Sequence, residues 1–461
     1  MRADLLSRLL CPNCGGALRA SLRSPAQGSE IEYGILACDC GQYPVIGGIP
    51  IFKAEGRIDV MQQTADSVLQ YGPEVKELIG LVRAGQNEKA LLSLLVIPQQ
   101  NVDRLLAFAA DVPRPARPVV RALGSRLWSS QQRKHREALV AGKKGTTARD
   151  LIRFFYRHSR HRELYNHFFN KFSQPRHLAG LSLASLLPVS EKPILDLACG
   201  FGHFMHYWIA TRPGQRVVGL DRNFFQLYVA RNWLAPGGDF ICFEADLKLP
   251  FSSHGLGGVF CADAFHYFLR RWQCAEEMRR VTEPEGLIIL ARVGNSQAEP
   301  REGYELSAEG YVKLFDGLAW RMVSENDLLQ DYLERLGPQL EEPSKLSALV
   351  PQKWLYVLAS ERPERFRNYP RFETWPHGAG RLQLNPLYHQ IHKDSGGDIT
   401  VEFRFPSKWY EFENSGCLQY MPGTAVISRE ALSAMAAGTW SGEIESLVRH
   451  CVVLGMPEHY Q

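Results

Sequence analysis

The sequence has no run approaching the ~18 uninterrupted apolar residues that a membrane helix needs, so membrane insertion is not expected. Net charge is nearly absent. With 53 Lys and Arg against 49 Asp and Glu, charge alone does not make the whole molecule a nucleic-acid or membrane binder. No repeat of solenoid period and no low-complexity tract is visible, which excludes repeat arrays and compositional linkers. The short apolar stretch after Arg2 is interrupted by Asp4 and Arg8. That is wrong for the core of a signal peptide, so a cytoplasmic protein is expected. Cysteine is sparse beyond one crowded segment. Four of the ten lie in the first 40 residues and six are scattered, a distribution suited to a metal site rather than a disulfide framework.

What remains is an ordinary globular composition, 45% apolar and 22% charged over 461 residues, long enough for two to four domains. Charge is unevenly spread: residues 101–180 hold 17 Lys and Arg against 5 Asp and Glu, leaving the rest of the chain acidic. Four regions follow. Residues 1–55 form a cysteine-bearing module, 56–145 read as helical segments and linker, 146–360 alternate strand and helix, and 361–461 form a mixed α+β extension. Three prolines at 113, 115 and 118 argue against a continuous helix there and mark a boundary.

Residues 11–16 read Cys-Pro-Asn-Cys-Gly-Gly and residues 38–41 read Cys-Asp-Cys-Gly. Two tight pairs supply four thiolates, the tetrahedral set that a structural zinc prefers. The metal would replace a core too small for a module of this size. Cys11, Cys14, Cys38 and Cys40 are the expected ligands. With residues 43–50, Tyr-Pro-Val-Ile-Gly-Gly-Ile-Pro, the segment resembles the short zinc-ribbon family that serves as activating subunit for RNA and protein methyltransferases. Its second pair is C-x-C in place of the more usual C-x-x-C.

The third region offers short apolar strands at 193–198, 216–221, 240–244, 258–262 and 286–292, spaced for intervening helices. This is the pattern of a doubly wound α/β fold whose ligand lies at the carboxyl ends of the strands. The first strand runs into Asp196-Leu197-Ala198-Cys199-Gly200-Phe201-Gly202, where glycines let backbone approach a ligand. A dinucleotide fingerprint would want a third small residue where Met205 stands. An Asp four residues before the first glycine repels a pyrophosphate but suits the cationic amino group of S-adenosylmethionine. Asp221, ending the second strand, is placed to accept from ribose hydroxyls. Asp246 and Leu247 follow the third strand and Asp263 the fourth.

These residues resemble the class I S-adenosylmethionine-dependent methyltransferases. The resemblance implies a Rossmann-like, mostly parallel seven-stranded sheet, with 320–324 and 353–359 as last strands and one of them reversed. It also implies cofactor contacts by Asp196, Ala198, Gly200, Gly202, Asp221, Arg222, Asp246, Leu247 and Asp263. The segment from Asp263 to His266 would lie beside the methyl donor. Where the acceptor needs a base, His266 is the nearest candidate and His203 a weaker one; the plainer reading packs His266 under its loop.

Residues 151–172 read as one amphipathic helix covering the site, with Tyr156 and Tyr165 as aromatic candidates near the sulfonium. In the extension, Trp409, Tyr410, Phe412, Tyr420 and Trp440 offer walls for an apolar pocket or a core of their own. The expected activity is methyl transfer to a small-molecule acceptor. The basic segment keeps RNA open as an alternative substrate, since zinc modules also precede rRNA guanine methyltransferases. An inactive methyltransferase-like fold binding a protein partner is the third reading.

Overall fold

In the computed structural model the described residues are 1–23, 30–52, 75–95, 113–120, 122–123, 126, 145–156, 163–245, 247–298 and 305–461. The central element is a seven-stranded sheet. Its strands are β5 (Ile194–Leu197), β6 (Val217–Asp221), β7 (Asp239–Cys242), β8 (Leu256–Ala262), β9 (Thr282–Gly294), β10 (Ala319–Ser324) and β11 (Trp354–Ser360), in the order β10-β11-β9-β8-β5-β6-β7. Strands β5 to β9 pair in parallel, and β11 runs antiparallel between β9 and β10. The expected Rossmann-like methyltransferase sheet with one reversed strand is therefore the observed one. The parallel strands are buried on both faces, which is why they read as continuous apolar runs.

The chain leaves β5 toward β6 on one side, while β8 pairs on its other side. This reversal opens a crevice at the strand ends where α/β folds bind ligands. The Glu283-Pro284-Glu285-Gly286 turn stays within β9 as an irregularity of register opposite Gly257.

The first 52 residues form a four-stranded antiparallel sheet, β1 (Arg19–Arg23), β2 (Gly34–Ala37), β3 (Gln42–Ile46) and β4 (Ile49–Pro50). It is docked on the edge of the central sheet. Ile51 bridges Cys242 in parallel, and the Phe52 amide donates to the Cys242 carbonyl at 3.0 Å. Leu10 donates to the Pro250 carbonyl at 3.1 Å. The edge of β7 is thus paired, which removes a template for aggregation. Asp239, at the start of β7, is buried and takes Arg2 at 2.7 Å and Arg216 at 3.0 Å.

The single helix expected over 151–172 is not observed. The described helices are Ala148–Tyr156 and Glu163–Phe169, and the second ends before a 3-10 turn at Lys171–Ser173; residues 157–162 lie outside the described ones. Pro175 holds Gln174 extended at φ −75°, ψ 143°, so the chain must turn before the next helix, Pro175–Ala184, can start. The prolines at 113, 115 and 118 sit before, in and after a 3-10 turn, Arg114–Ala116.

The extension contributes β12 (Arg381–Leu384) paired with β16 (Val453–Met456), and a three-stranded sheet of β13 (Tyr388–Lys393), β14 (Ile399–Phe403) and β15 (Thr424–Ile427). The helix Gly442–Arg449 leads into strand β16 at residues 453–456. The extension shares one apolar core with the helices that flank the central sheet. The amides of Ala148 and Arg149 donate to the carbonyls of His459 and Tyr460 at 2.8 and 2.9 Å. Tyr410 and Tyr420 are core, their hydroxyls bonded to the carbonyls of Asn170 and Ser173. Trp409, Phe412 and Trp440 are exposed.

Candidate functional site

The bend after β5 is built from left-handed backbone. Ala198 has φ +60°, Gly200 +52° and Gly202 +76°. A Cβ on Gly202 would lie 3.1 Å from that of Ala230, so the second glycine is required by space as well as by angle. Gly202 caps the helix His203–Thr211, whose unpaired amide end faces the crevice.

Asp221 is anchored. One carboxylate oxygen accepts from the Gly200 amide at 3.0 Å and the other from the Asn223 amide at 2.8 Å. Burial pushes its carboxyl above the usual range, and the two amides counter that effect. Asp196 is different. It is 3% exposed and makes no side-chain hydrogen bond among the described residues. Burial, and then the charge of Asp221, hold its carboxyl well above the usual range, with Lys171 the partial counterweight. A buried acid without a partner is costly unless a cation arrives. The ammonium of S-adenosylmethionine is such a cation, so this donor set fits the cofactor.

The other expected contacts are placed as follows. Arg222 stands 4.0 Å from Glu244, which follows β7. Leu247 is half-buried on the following loop, and Asp246 lies outside the described residues. Tyr156 is buried, its hydroxyl bonded to Gln226 at 3.2 Å, and stacks on Phe168 at 5.4 Å. The Phe168 ring would be 3.9 Å from a Cβ on Gly200, so this aromatic pair covers the glycine bend. Tyr165 instead stacks on Phe169. His203 bonds Tyr460 at 3.2 Å and is pushed down to about 3 by burial.

Asp263 sits in an ion cluster that the sequence reading missed. Its carboxylate takes Arg292 at 2.7 Å, Arg176 at 3.1 Å and Lys171 at 3.3 Å, with His167 at 3.8 Å. Burial works against this carboxylate, but the charges of Arg292, Lys171 and Arg176 outweigh it and hold it well below the usual range. Two left-handed residues build the cluster, Asp263 at φ +56° and Arg292 at φ +58°. At Arg292, two residues of β9 oppose the single Tyr356 of β11, a bulge that re-aims the side chain. The guanidinium meets Asp263 and Glu325, 3.1 Å away, and lies 3.5 Å over the Trp354 ring. An arginine closing an apolar strand was the available signal. His266 is buried beside this group, its ring 5.9 Å from that of Trp354.

Lys171 and Arg176 belong to the basic segment, yet both turn inward. Residues 96–112 and 127–144, which carry much of its charge, lie outside the described ones.

At the far edge, Cys11, Cys14, Cys38 and Cys40 bring their sulfurs within 4.8 Å of one another. The separations Cys11 to Cys40 and Cys38 to Cys40 are 3.4 Å, and Cys14 to Cys38 is 3.8 Å. Ligands ~2.3 Å from a tetrahedral zinc lie about 3.8 Å apart, so the C-x-C pair joins the C-x-x-C pair in one set. Burial opposes ionisation of Cys11, but the amides of Cys14 and Asn13 and the Tyr43 hydroxyl bring it down to about 6.

Residues 195–290 match the family model described as a methyltransferase domain. They span the strand ends just described, and the chain carries a methyltransferase domain of the class I, S-adenosylmethionine-dependent kind. Among curated relatives, the malonyl-[acyl-carrier protein] O-methyltransferase of Legionella pneumophila is 28% identical over 109 residues, 23% of this chain and 38% of that protein. The enzyme of the same name from Pectobacterium atrosepticum is 28% identical over 135 residues, 28% of this chain and 49% of that one. The chain thus spans less than half the length of these relatives. A solved complex of the Haloferax volcanii Trm112 methyltransferase activator with a methyltransferase covers 46% of this chain and 97% of that chain, at 18% identity and a TM-score of 0.33. No helix among the described residues is long and apolar enough to cross a membrane.

Proposed function

We propose that the protein transfers the methyl group of S-adenosylmethionine to a small-molecule acceptor, and that its cysteine module holds a structural zinc. The observation that carries the reading is Asp196, a buried carboxylate without a hydrogen-bond partner among the described residues, beside the anchored Asp221. In this reading Asp196 receives the cofactor's ammonium, Asp221 the ribose hydroxyls, and Ala198, Gly200 and Gly202 the backbone approach. Arg222, Asp246 and Leu247 border the nucleoside, and Asp263 holds the cations around the acceptor. Bound, the cofactor supplies an activated methyl group for in-line displacement. The protein's work is then to align the reactants and exclude water.

His266 remains the candidate base for an acceptor that must lose a proton. The four regions 1–55, 56–145, 146–360 and 361–461 remain our division of the chain into domains, with acceptor selection assigned to the last together with the helices 148–184. An RNA acceptor is not favoured, because Lys171 and Arg176 of the basic segment are committed to the interior.

Calorimetric titration with S-adenosylmethionine tests the reading on the full chain and on Asp221→Ala. Binding by the natural protein and a loss of about tenfold or more in the variant is expected. Equal, weak binding by both proteins would overturn it.

A further inference from the structure

Three cations converge on Asp263, and they are not equally satisfied. Arg292 is paired by Asp263 and Glu325 and stacked on Trp354. Arg176 donates to Asp263, to the Glu413 carbonyl and to the side chains of Glu413 and Asn414. Lys171 has no acid of its own. Its ammonium makes one hydrogen bond, 3.3 Å to the Asp263 oxygen that also takes Arg176. Two of its three N–H directions are left without a partner among the described residues, although its side chain is only 13% exposed. Burial, with the two arginines, brings this lysine down to about 8. Its charge is felt at Asp196 as well as at Asp263, so it is within electrostatic reach of both the cofactor acid and the end of β8.

Exposed aromatic rings flank the elements that hold this ion cluster. Phe412, 72% exposed, precedes the Glu413 that binds Arg176, and its ring lies 5.9 Å from the Lys353 ammonium. Lys353 adjoins Trp354, which packs near His266, and His266 contacts the ring of Tyr267, itself 56% exposed. Exposed rings and a half-satisfied ammonium around one ion cluster are what a ligand with an apolar body and an oxyanion would cover together.

We propose that Lys171 reads the acceptor, and that the acceptor is an organic oxyanion with an apolar body. Its oxygen accepts from the Lys171 ammonium, and its body lies across Phe412 and Tyr267. The inference rests on the cofactor reading above. The acceptor oxygen uses a lone pair to form the bond to the methyl carbon, and the carbon–sulfur bond breaks with its electrons left on sulfur. The sulfonium becomes a neutral thioether and the oxyanion a neutral methyl ester or ether. No proton moves, so such an acceptor needs no base and His266 has no proton to take.

The test is calorimetric titration of the full chain saturated with S-adenosylhomocysteine, using octanoate, octanamide, propionate, 4-nitrophenolate and 4-nitroanisole as probes. An anion is expected to bind about tenfold tighter than its neutral counterpart, and octanoate tighter than propionate. Preference for octanoate assigns a carboxylate, and preference for 4-nitrophenolate a phenolate. Lys171→Met should abolish the anion preference and Lys171→Arg restore it. Phe412→Ala, on the surface, should abolish the chain-length preference and retain affinity for S-adenosylmethionine. Equal binding of anions and neutral counterparts by the natural protein would overturn the proposal, as would an anion preference that survives Lys171→Met. Failure of S-adenosylhomocysteine to bind the natural protein would overturn the cofactor reading itself, a result distinct from either.

Discussion

Asp196 and Asp221 flank the same glycine bend from adjacent parallel strands, yet only Asp221 is held by the protein, through the amides of Gly200 and Asn223. Asp196 is buried without a hydrogen bond among the described residues, and the negative charge of Asp221 adds to the cost of ionising it.

That asymmetry predicts opposite effects on stability and binding. Asp196→Asn removes a destabilised carboxylate, so the melting temperature of the cofactor-free protein should rise. Affinity for S-adenosylmethionine should fall about tenfold or more, because the ammonium loses its counter-charge. Thermal melts and titration calorimetry on one sample check both; a variant that melts lower and binds equally well contradicts the assignment.

Metal removal should reach beyond the cysteine module. Ile51 and Phe52 cover the β7 edge of the central sheet and Leu10 bonds the carbonyl of Pro250, and in the zinc reading a module of this size depends on the metal for folding. Chelator treatment, or Cys11→Ser, should therefore lower the melting temperature of the whole chain. It should also increase light scattering as the edge is uncovered. A ribbon that melts away while scattering and the main transition stay unchanged would show the edge contact to be dispensable.

The junction itself is electrostatic at Asp239. Burial opposes its ionisation, but Arg2 and Arg216 prevail and hold its carboxyl below the ordinary range. A depressed carboxylate contributes stability that is fully present above its unfolded value of about 3.9 and is lost as pH falls through the folded value. Asp239→Asn should cost about 3 kcal/mol at neutral pH, because two arginines lose their buried partner. The cost should vanish under strongly acidic conditions. Denaturant titrations at several pH values measure it.

Buried histidines govern the milder acid range. Burial pushes His203 down to about 3, and His206 and His377 down to about 4. Between about pH 6.5 and 4 the unfolded chain takes up protons that the folded chain refuses, so stability must fall with pH there. Each histidine contributes about 1.4 kcal/mol per pH unit to the slope. His206→Gln should flatten the dependence of melting temperature on pH in this window, and an unchanged slope would refute the assignment.

The parallel strands were legible as apolar runs because both faces of such a sheet are buried. Asp196, Gly200, Gly202 and Asp221 were legible because local backbone geometry places them at strand ends. The span 151–172 misled because amphipathic spacing carries no record of the 3-10 turn at Lys171–Ser173 or of the extended residue before Pro175. Tyr410 and Tyr420 read equally as pocket walls or as core and are core, a distinction that composition does not contain.

Short-range chemistry was therefore written in the sequence: which strands form, where the chain must bend without a Cβ, and which cysteines are close enough to share a metal. Long-range convergence was not. Arg292 reaches Asp263 only because a bulge in β9 turns it inward, and Lys171 and Arg176 meet that carboxylate from 92 and 87 residues away in the chain. An arginine or lysine has the same solvated preference in any sequence window. Whether it covers a surface or is buried beside an acid depends on which elements pack against it, and that is decided only when the sheet, the preceding helices and the extension close around one core.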